Sequence, residues 1–165
     1  MFVLGIDPGL TITGYGLVSG GAQTRAAAAG VIRTSPDAPL GSRLATLHRE
    51  LGKLIREHRP DAISLETVFT NRNLNTAISV GRASGVAILA AAEAGLEVSE
   101  YAPTAIKAAV TGDGSAGKDA VAAMVARLLG LEEQPRPADA ADALAVALCH
   151  LRSARLAAAA GPKRR

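Results

Sequence analysis

Four carboxylates occupy positions where carboxylates are costly. Asp7 closes the apolar run that starts at Phe2, just before Pro8 and Gly9 break it, and Glu66 closes the run from Ala62 in the same way. A charged group ending an apolar strand reaches solvent in a cleft, holds a cation, or caps the neighbouring turn. For Asp7 taken alone, the turn cap is the more common outcome. Asp139 and Asp142 lie three residues apart in an Ala- and Leu-rich stretch. On a helix they share one face, about 4.5 Å apart along the axis. Their apolar neighbours make simple solvation a poor relief for the repulsion, although acids also favour the first turn of a helix. Taken together, the four are acids that a mixed αβ fold could bring to one sheet edge. An all-oxygen donor set suits Mg²⁺ or Mn²⁺. Two such ions about 4 Å apart can hold a phosphodiester and activate water for in-line attack.

Other residues suit a polyanionic substrate. Phe69 follows Glu66 and precedes the polar stretch Thr70–Thr76, where an aromatic ring can stack on an unpaired base or else fill the core. Lys107 and Lys118 are candidates for phosphate contact and for stabilising transition-state charge; the plain alternative is a solvated lysine. Arg72 and Arg82 can also meet phosphates, with Arg82 equally suited to a dimer surface. The stretch from Gly112 to Asp119 nearly meets the phosphate-loop pattern, but Asp119 stands where a Ser or Thr hydroxyl is needed. It also follows a predicted helix instead of a strand, and Asp113 adds negative charge, so it does not read as a nucleotide site. His48 and His58 sit in charged company as solvated residues, and His150 lies two turns beyond Asp142, away from the acids. The single cysteine, Cys149, reads as a buried thiol.

Positioning these groups requires a recognisable series of elements. Phe2–Asp7 and the run around Tyr15–Val18 form a hairpin, and Thr24–Thr34 supplies a third antiparallel strand. Leu44, Leu47, Leu51, Leu54 and Ile55 recur at helical spacing. A strand from Ala62 to Phe69, a helix from Ala77 to Ala94, a strand from Leu96 to Tyr101 and a short helix from Pro103 to Val110 follow. Asp119–Leu129 and the stretch from Ala138 complete the helices. The order βββαβαβαα makes an α/β fold, a mixed five-stranded sheet flanked by helices. We expect one domain over 1–155 and a disordered basic tail over 156–165. Of 165 residues, 48% are apolar but only 2% aromatic, so Ala, Leu, Val and Ile must build the core. A net charge of +3 permits a polyanionic partner without requiring one. Neither a leader nor an uninterrupted apolar run of membrane-spanning length is evident, which leads us to expect a soluble, cytoplasmic protein with no membrane role.

The motifs Asp7-Pro-Gly-Leu, Leu65-Glu66 with Phe69 beyond, Gly114-Ser-Ala-Gly-Lys118 and Asp139-Ala-Ala-Asp142-Ala-Leu resemble the RuvC family of bacterial Holliday junction resolvases, over essentially the whole chain to about residue 152. The resemblance implies an RNase H-like fold, a homodimer, and Mg²⁺-dependent symmetric nicking of four-way DNA junctions formed in recombination. It implies that Asp7, Glu66, Asp139 and Asp142 are the catalytic metal-binding carboxylates, for two Mg²⁺ ions with Mn²⁺ as a substitute, and that Phe69 lies near the junction. It also implies cutting at short T-rich sequences, religatable ends, and the RuvA and RuvB branch-migration proteins as partners. A dimer suits the two-fold symmetry of a junction, and the helix from Ala77 to Ala94, with its small residues, is the expected interface. The alternative is a non-catalytic junction-binding scaffold, which would not need all four acids.

Overall fold

The computed structural model describes residues 1–67 and 74–160. Strands β1 (Phe2–Asp7) and β2 (Ile12–Ser19) form the expected antiparallel hairpin, with Asp7 opposite Gly14, and β3 (Arg25–Arg33) pairs antiparallel with β2. On the other side of β1, β4 (Ala62–Glu66) and then β5 (Val98–Tyr101) join in parallel. Parallel neighbours need a crossover. Helix α1 (Leu40–His58) carries the chain from β3 to β4, and α2 (Leu74–Glu93) carries it from β4 to β5. The sheet order is β3-β2-β1-β4-β5. One edge of this mixed sheet therefore gathers the C-terminal ends of β1, β3, β4 and β5 and the start of β2.

Side-chain alternation divides the core into two layers. Leu4, Ile6, Leu17, Ile63 and Leu65 face α1, through Leu47, Leu51 and Ile55, and the small α2 residues Ala83, Ala87, Ala90 and Ala91. Val3 and Val18 face the opposite side, against α3 (Pro103–Thr111), α4 (Lys118–Leu129) and α5 (Ala138–Ala160). As the composition requires, both layers are mainly aliphatic.

Helix α5 is the centre of the second layer, and every residue from Ala143 to Leu151 is buried. A helix buried on all sides must lie close to its support. Here the support is a lane of strand glycines. A Cβ at Gly14 would collide with the Asp139 carbonyl oxygen, and one at Gly5 with that of Ala143. At Gly16 it would lie 2.8 Å from the Leu144 backbone nitrogen. Gly5 and Gly16 are direct cross-strand partners. By length and composition α2 and α5 could each cross a membrane, but each carries charged residues, and α5 is a core helix.

The elements depart from expectation at several ends. Three helices follow β5, as the segments from Pro103, Asp119 and Ala138 lead one to expect, where the order βββαβαβαα counts only two. Strand β4 stops at Glu66, and α2 starts at Leu74, three residues before the expected Ala77. The expected disordered tail from 156 is corrected in part: α5 continues to Ala160, as befits a run of Leu and Ala, the strongest helix formers. Residues 161–165 lie outside the described residues.

Candidate active site

Strand register places the first two acids. Asp7 lies two residues beyond Gly5, and Glu66 two beyond Ser64, the parallel partner of Gly5. Residues two apart share a face, so both carboxylates point to the α5 side at the sheet edge. The glycine lane lets the first turn of α5 rest on β2 beside Asp7, bringing in Asp139 and, one turn later, Asp142.

Asp7, Glu66 and Asp142 line one cavity of about 180 Å³ together with Lys107 of α3 and Lys118, the first residue of α4. Pro103, Ile106, Val121 and Ala145 supply its apolar wall. Asp139 does not line it, but acts on Asp7 through its charge.

The electrostatics are those of crowded like charges. Burial, then the charges of Glu66, Asp142 and Asp139, push the Asp7 carboxyl up to about 7, with Lys118 opposing. Glu66 is raised too, by burial and then by Asp142, with Lys118 and Lys107 opposing. Lys118 is raised, chiefly by Asp142, whose Oδ2 lies 3.5 Å from its Nζ. That ion pair is weak because the lysine side chain is 81% exposed. Among the described residues, no three carboxylates converge closely enough to hold one ion as they stand. An all-oxygen donor set under unrelieved repulsion nevertheless fits a hard divalent cation.

Other expectations are met unevenly. Burial and neighbouring charges, with no hydrogen bond among the causes, set the Asp7 carboxyl, which is not what a turn cap gives. Phe69 and Arg72 lie outside the described residues. Arg82 is exposed on α2. The glycine-rich stretch follows a helix, as expected, and Asp113 Oδ1 accepts the Ser115 N–H at 2.8 Å and its hydroxyl at 2.7 Å, which closes the loop on itself. His48 pairs with Glu93 at 2.8 Å.

His150 is buried and does not line the cavity. Its Nδ1 lies 2.9 Å from the Tyr101 hydroxyl, and the two rings meet edge to face. Tyr101 is the strand partner of Glu66, so this pair ties β5 to α5 next to the site. Sequence reasoning missed that pair, which spans 49 residues, as well as the glycine lane. Glycines inside apolar strands were the available signal, since they mark close backbone approach.

Comparisons with known proteins bear directly on this geometry. The family model described as crossover junction endodeoxyribonuclease RuvC matches residues 3–150. A crossover junction endodeoxyribonuclease RuvC from Salinispora arenicola is 53% identical, with 100% of this chain and 98% of that protein covered. The chain belongs to the RuvC family. Among solved structures, Thermus thermophilus RuvC superimposes with a TM-score of 0.88 at 42% identity, over 94% of this chain and 96% of that one. Thermus thermophilus RuvC in complex with Holliday junction substrate gives 0.87 at 39% identity over the same shares. The mixed sheet with its flanking helices is accordingly the RNase H-like fold of RuvC.

Proposed function

We propose that this member of the RuvC family is a metal-dependent endonuclease that resolves four-way DNA junctions by paired, symmetric phosphodiester hydrolysis in recombination and repair. The observation that carries this reading is the gathering of Asp7, Glu66 and Asp142 with Lys107 and Lys118 around one cavity, with Asp139 close enough to raise Asp7. A junction-binding scaffold has no use for such a cluster, whose repulsion lowers stability.

Asp7, Glu66, Asp139 and Asp142 would hold two Mg²⁺ ions, with Mn²⁺ able to substitute. Bound there, the ions polarise the phosphate and make water a better nucleophile. Asp7 and Glu66, fixed on strand ends, supply rigid negative charge, while Asp139 and Asp142 arrive on a helix whose position the glycine lane sets. Lys118, weakly tied to Asp142, is free to turn its ammonium onto the scissile phosphate, and Lys107 offers a second cation on the same wall. Phe69 and Arg72 are assigned to an unpaired base and a phosphate near the crossover.

Paired cuts need two sites related by two-fold symmetry, and hence a homodimer. Helix α2 offers the surface. Leu74, Ile78, Ile88 and Leu89 are exposed at helical spacing, and Gly81 and Gly85 on the same stripe have nothing within 4 Å of a built Cβ. RuvA and RuvB are the expected partners, and the cytoplasm the expected location.

The test uses a synthetic four-way junction, each strand labelled in turn, with Mg²⁺ or EDTA, and Asp7→Asn alongside. Mg²⁺-dependent nicks at symmetric positions, lost in Asp7→Asn while the gel shift persists, are the expected result. Binding without nicks under every metal would favour the scaffold.

A further inference from the structure

Arg43 carries a charge that its surroundings do nothing to neutralise. It is the fourth residue of α1, near the positive end of the helix dipole, and the first turn there holds no acid and has no side-chain cap. Elsewhere on α1, His48, Arg49 and Lys53 each have an acidic neighbour, whereas Arg43 has no carboxylate partner among the described residues. Two neutral hydroxyls hold it instead. Its Nε donates to Thr34 Oγ1 at 2.9 Å and its Nη2 to Thr11 Oγ1 at 2.7 Å. Thr34 is itself fixed, because its hydroxyl donates to the Leu10 carbonyl and its N–H to that of Thr11. A guanidinium has five N–H donors, so these bonds leave most of the fork free.

That fork opens on a second cavity of about 450 Å³, lined by Gly9, Thr11, Asn75, Thr76 and Ser79 as well as Arg43. Leu10, Ile12 and Val80 complete a wall that mixes hydroxyl and amide groups with apolar side chains, and among the described residues no acid lines it. Its position follows from the sheet. Thr34 follows β3, Thr11 precedes β2, and both lie on the edge where Asp7 ends β1. Asp7 pairs with Gly14, so Thr11 lies one strand spacing across and three residues further along, and Thr34 two spacings across, which sets them about 11–14 Å from Asp7. Neighbouring phosphates of one DNA strand stand about 6–7 Å apart along the backbone, so that span, with the reach of the guanidinium to its phosphate, matches about two or three nucleotides. Lys107 and Lys118 share the acids' cavity on the α5 face, whereas Arg43 reaches the same sheet edge from α1, on the other face.

We propose that Arg43, held by Thr11 and Thr34, binds a backbone phosphate of the strand being cut, about two or three nucleotides from the scissile bond. The proposal rests on the nuclease reading above. A bidentate Arg–phosphate contact fixes the strand in register, so that the scissile phosphate rather than its neighbour falls among the carboxylates.

Binding of a four-way junction in EDTA, measured over a series of salt concentrations, tests it. Arg43→Gln should weaken binding about tenfold near 0.1 M salt and reduce the slope of log K against log salt by about 0.9 per protomer engaged. Arg43→Lys should keep the slope, and Thr11→Val, which removes the anchor but no charge, should keep it too. Junctions carrying one neutral methylphosphonate at each position around the cut give an independent reading. One substitution about two or three nucleotides from the cut should weaken the wild type but cost less in Arg43→Lys, a comparison available even if Arg43→Gln does not fold. If Arg43→Gln and Thr11→Val both lower the melting temperature with the slope and the methylphosphonate profile unchanged, Arg43 is only a staple and the inference is overturned. A wild type that neither binds nor nicks junctions would overturn the nuclease reading itself, whereas normal nicking with an inert Arg43→Gln overturns this inference alone.

Discussion

At the scale of single residues, the chemistry is a matter of charge held under strain. Asp7 titrates at about 7 in the folded chain, against 3.8 for an ordinary aspartate. Between those values the folded state binds more protons than the unfolded one. The metal-free protein therefore loses stability as pH rises from about 4 to 7, and stays at the lower level above that. Asp7→Asn removes this loss. In EDTA at pH 8 the variant should be more stable than wild type by up to about 4 kcal/mol, and at pH 4 the gain should vanish, as measured by denaturant titration at both pH values. The same variant should lose nicking. Lys118→Met should reduce nicking about 100-fold while changing junction binding far less, because its charge is needed most in the transition state. The acids were legible in the sequence because a carboxylate ending an apolar strand, or a pair spaced three apart among alanines, calls for an explanation. Arg43 was not, because an arginine on an amphipathic helix looks like any solvated residue until its hydroxyl partners, one just before β2 and one just after β3, are seen.

At the scale of elements, the site depends on how closely α5 lies on the sheet. Gly14→Ala puts a methyl group against the Asp139 backbone. It should destabilise the fold by about 1–3 kcal/mol and reduce nicking further than that loss explains, since Asp139 and Asp142 move away from Asp7. Thermal melts read beside nicking assays separate the two effects. The strands and helices themselves were readable from β-favouring runs and 3.6-residue periodicity. The glycine lane was not, because glycine in a sequence suggests a turn, and only the packed helix shows that three of them are there for lack of a side chain. The end of α5 was misjudged for a related reason: basic residues near the terminus suggested a tail, while the helix propensity of the preceding alanines extended the helix to Ala160. On α2, Ile78→Asp places a charge on the exposed apolar stripe and should convert a dimer into monomers by sedimentation, with junctions nicked on one strand at a time.

At the scale of the whole molecule, sheet and helices gather the acids and two lysines into one cavity and set Arg43 further along the same sheet edge. Lys118 opposes the crowding that raises Asp7 without cancelling it, so the acids stay short of positive charge until a metal arrives. Mg²⁺ should therefore raise the melting temperature of wild type, by binding only the folded state, and should raise that of Asp7→Asn much less in the same scan. The mild net charge of +3 understates the fitness of the surface for DNA, because the charge that matters is its placement along one edge.

Half of the acids we propose as catalytic come from the first 66 residues and half from a helix that begins at 138. A ribosome adds residues in order, at about 5–20 per second. The growing chain can form its opening hairpin early, yet it has no complete active site until α5 has emerged and settled onto the glycines. On the proposed assignment a chain cut short before α5 lacks two of its four acids and should not nick DNA, so the last long helix would serve as the safety catch of a DNA-cutting enzyme.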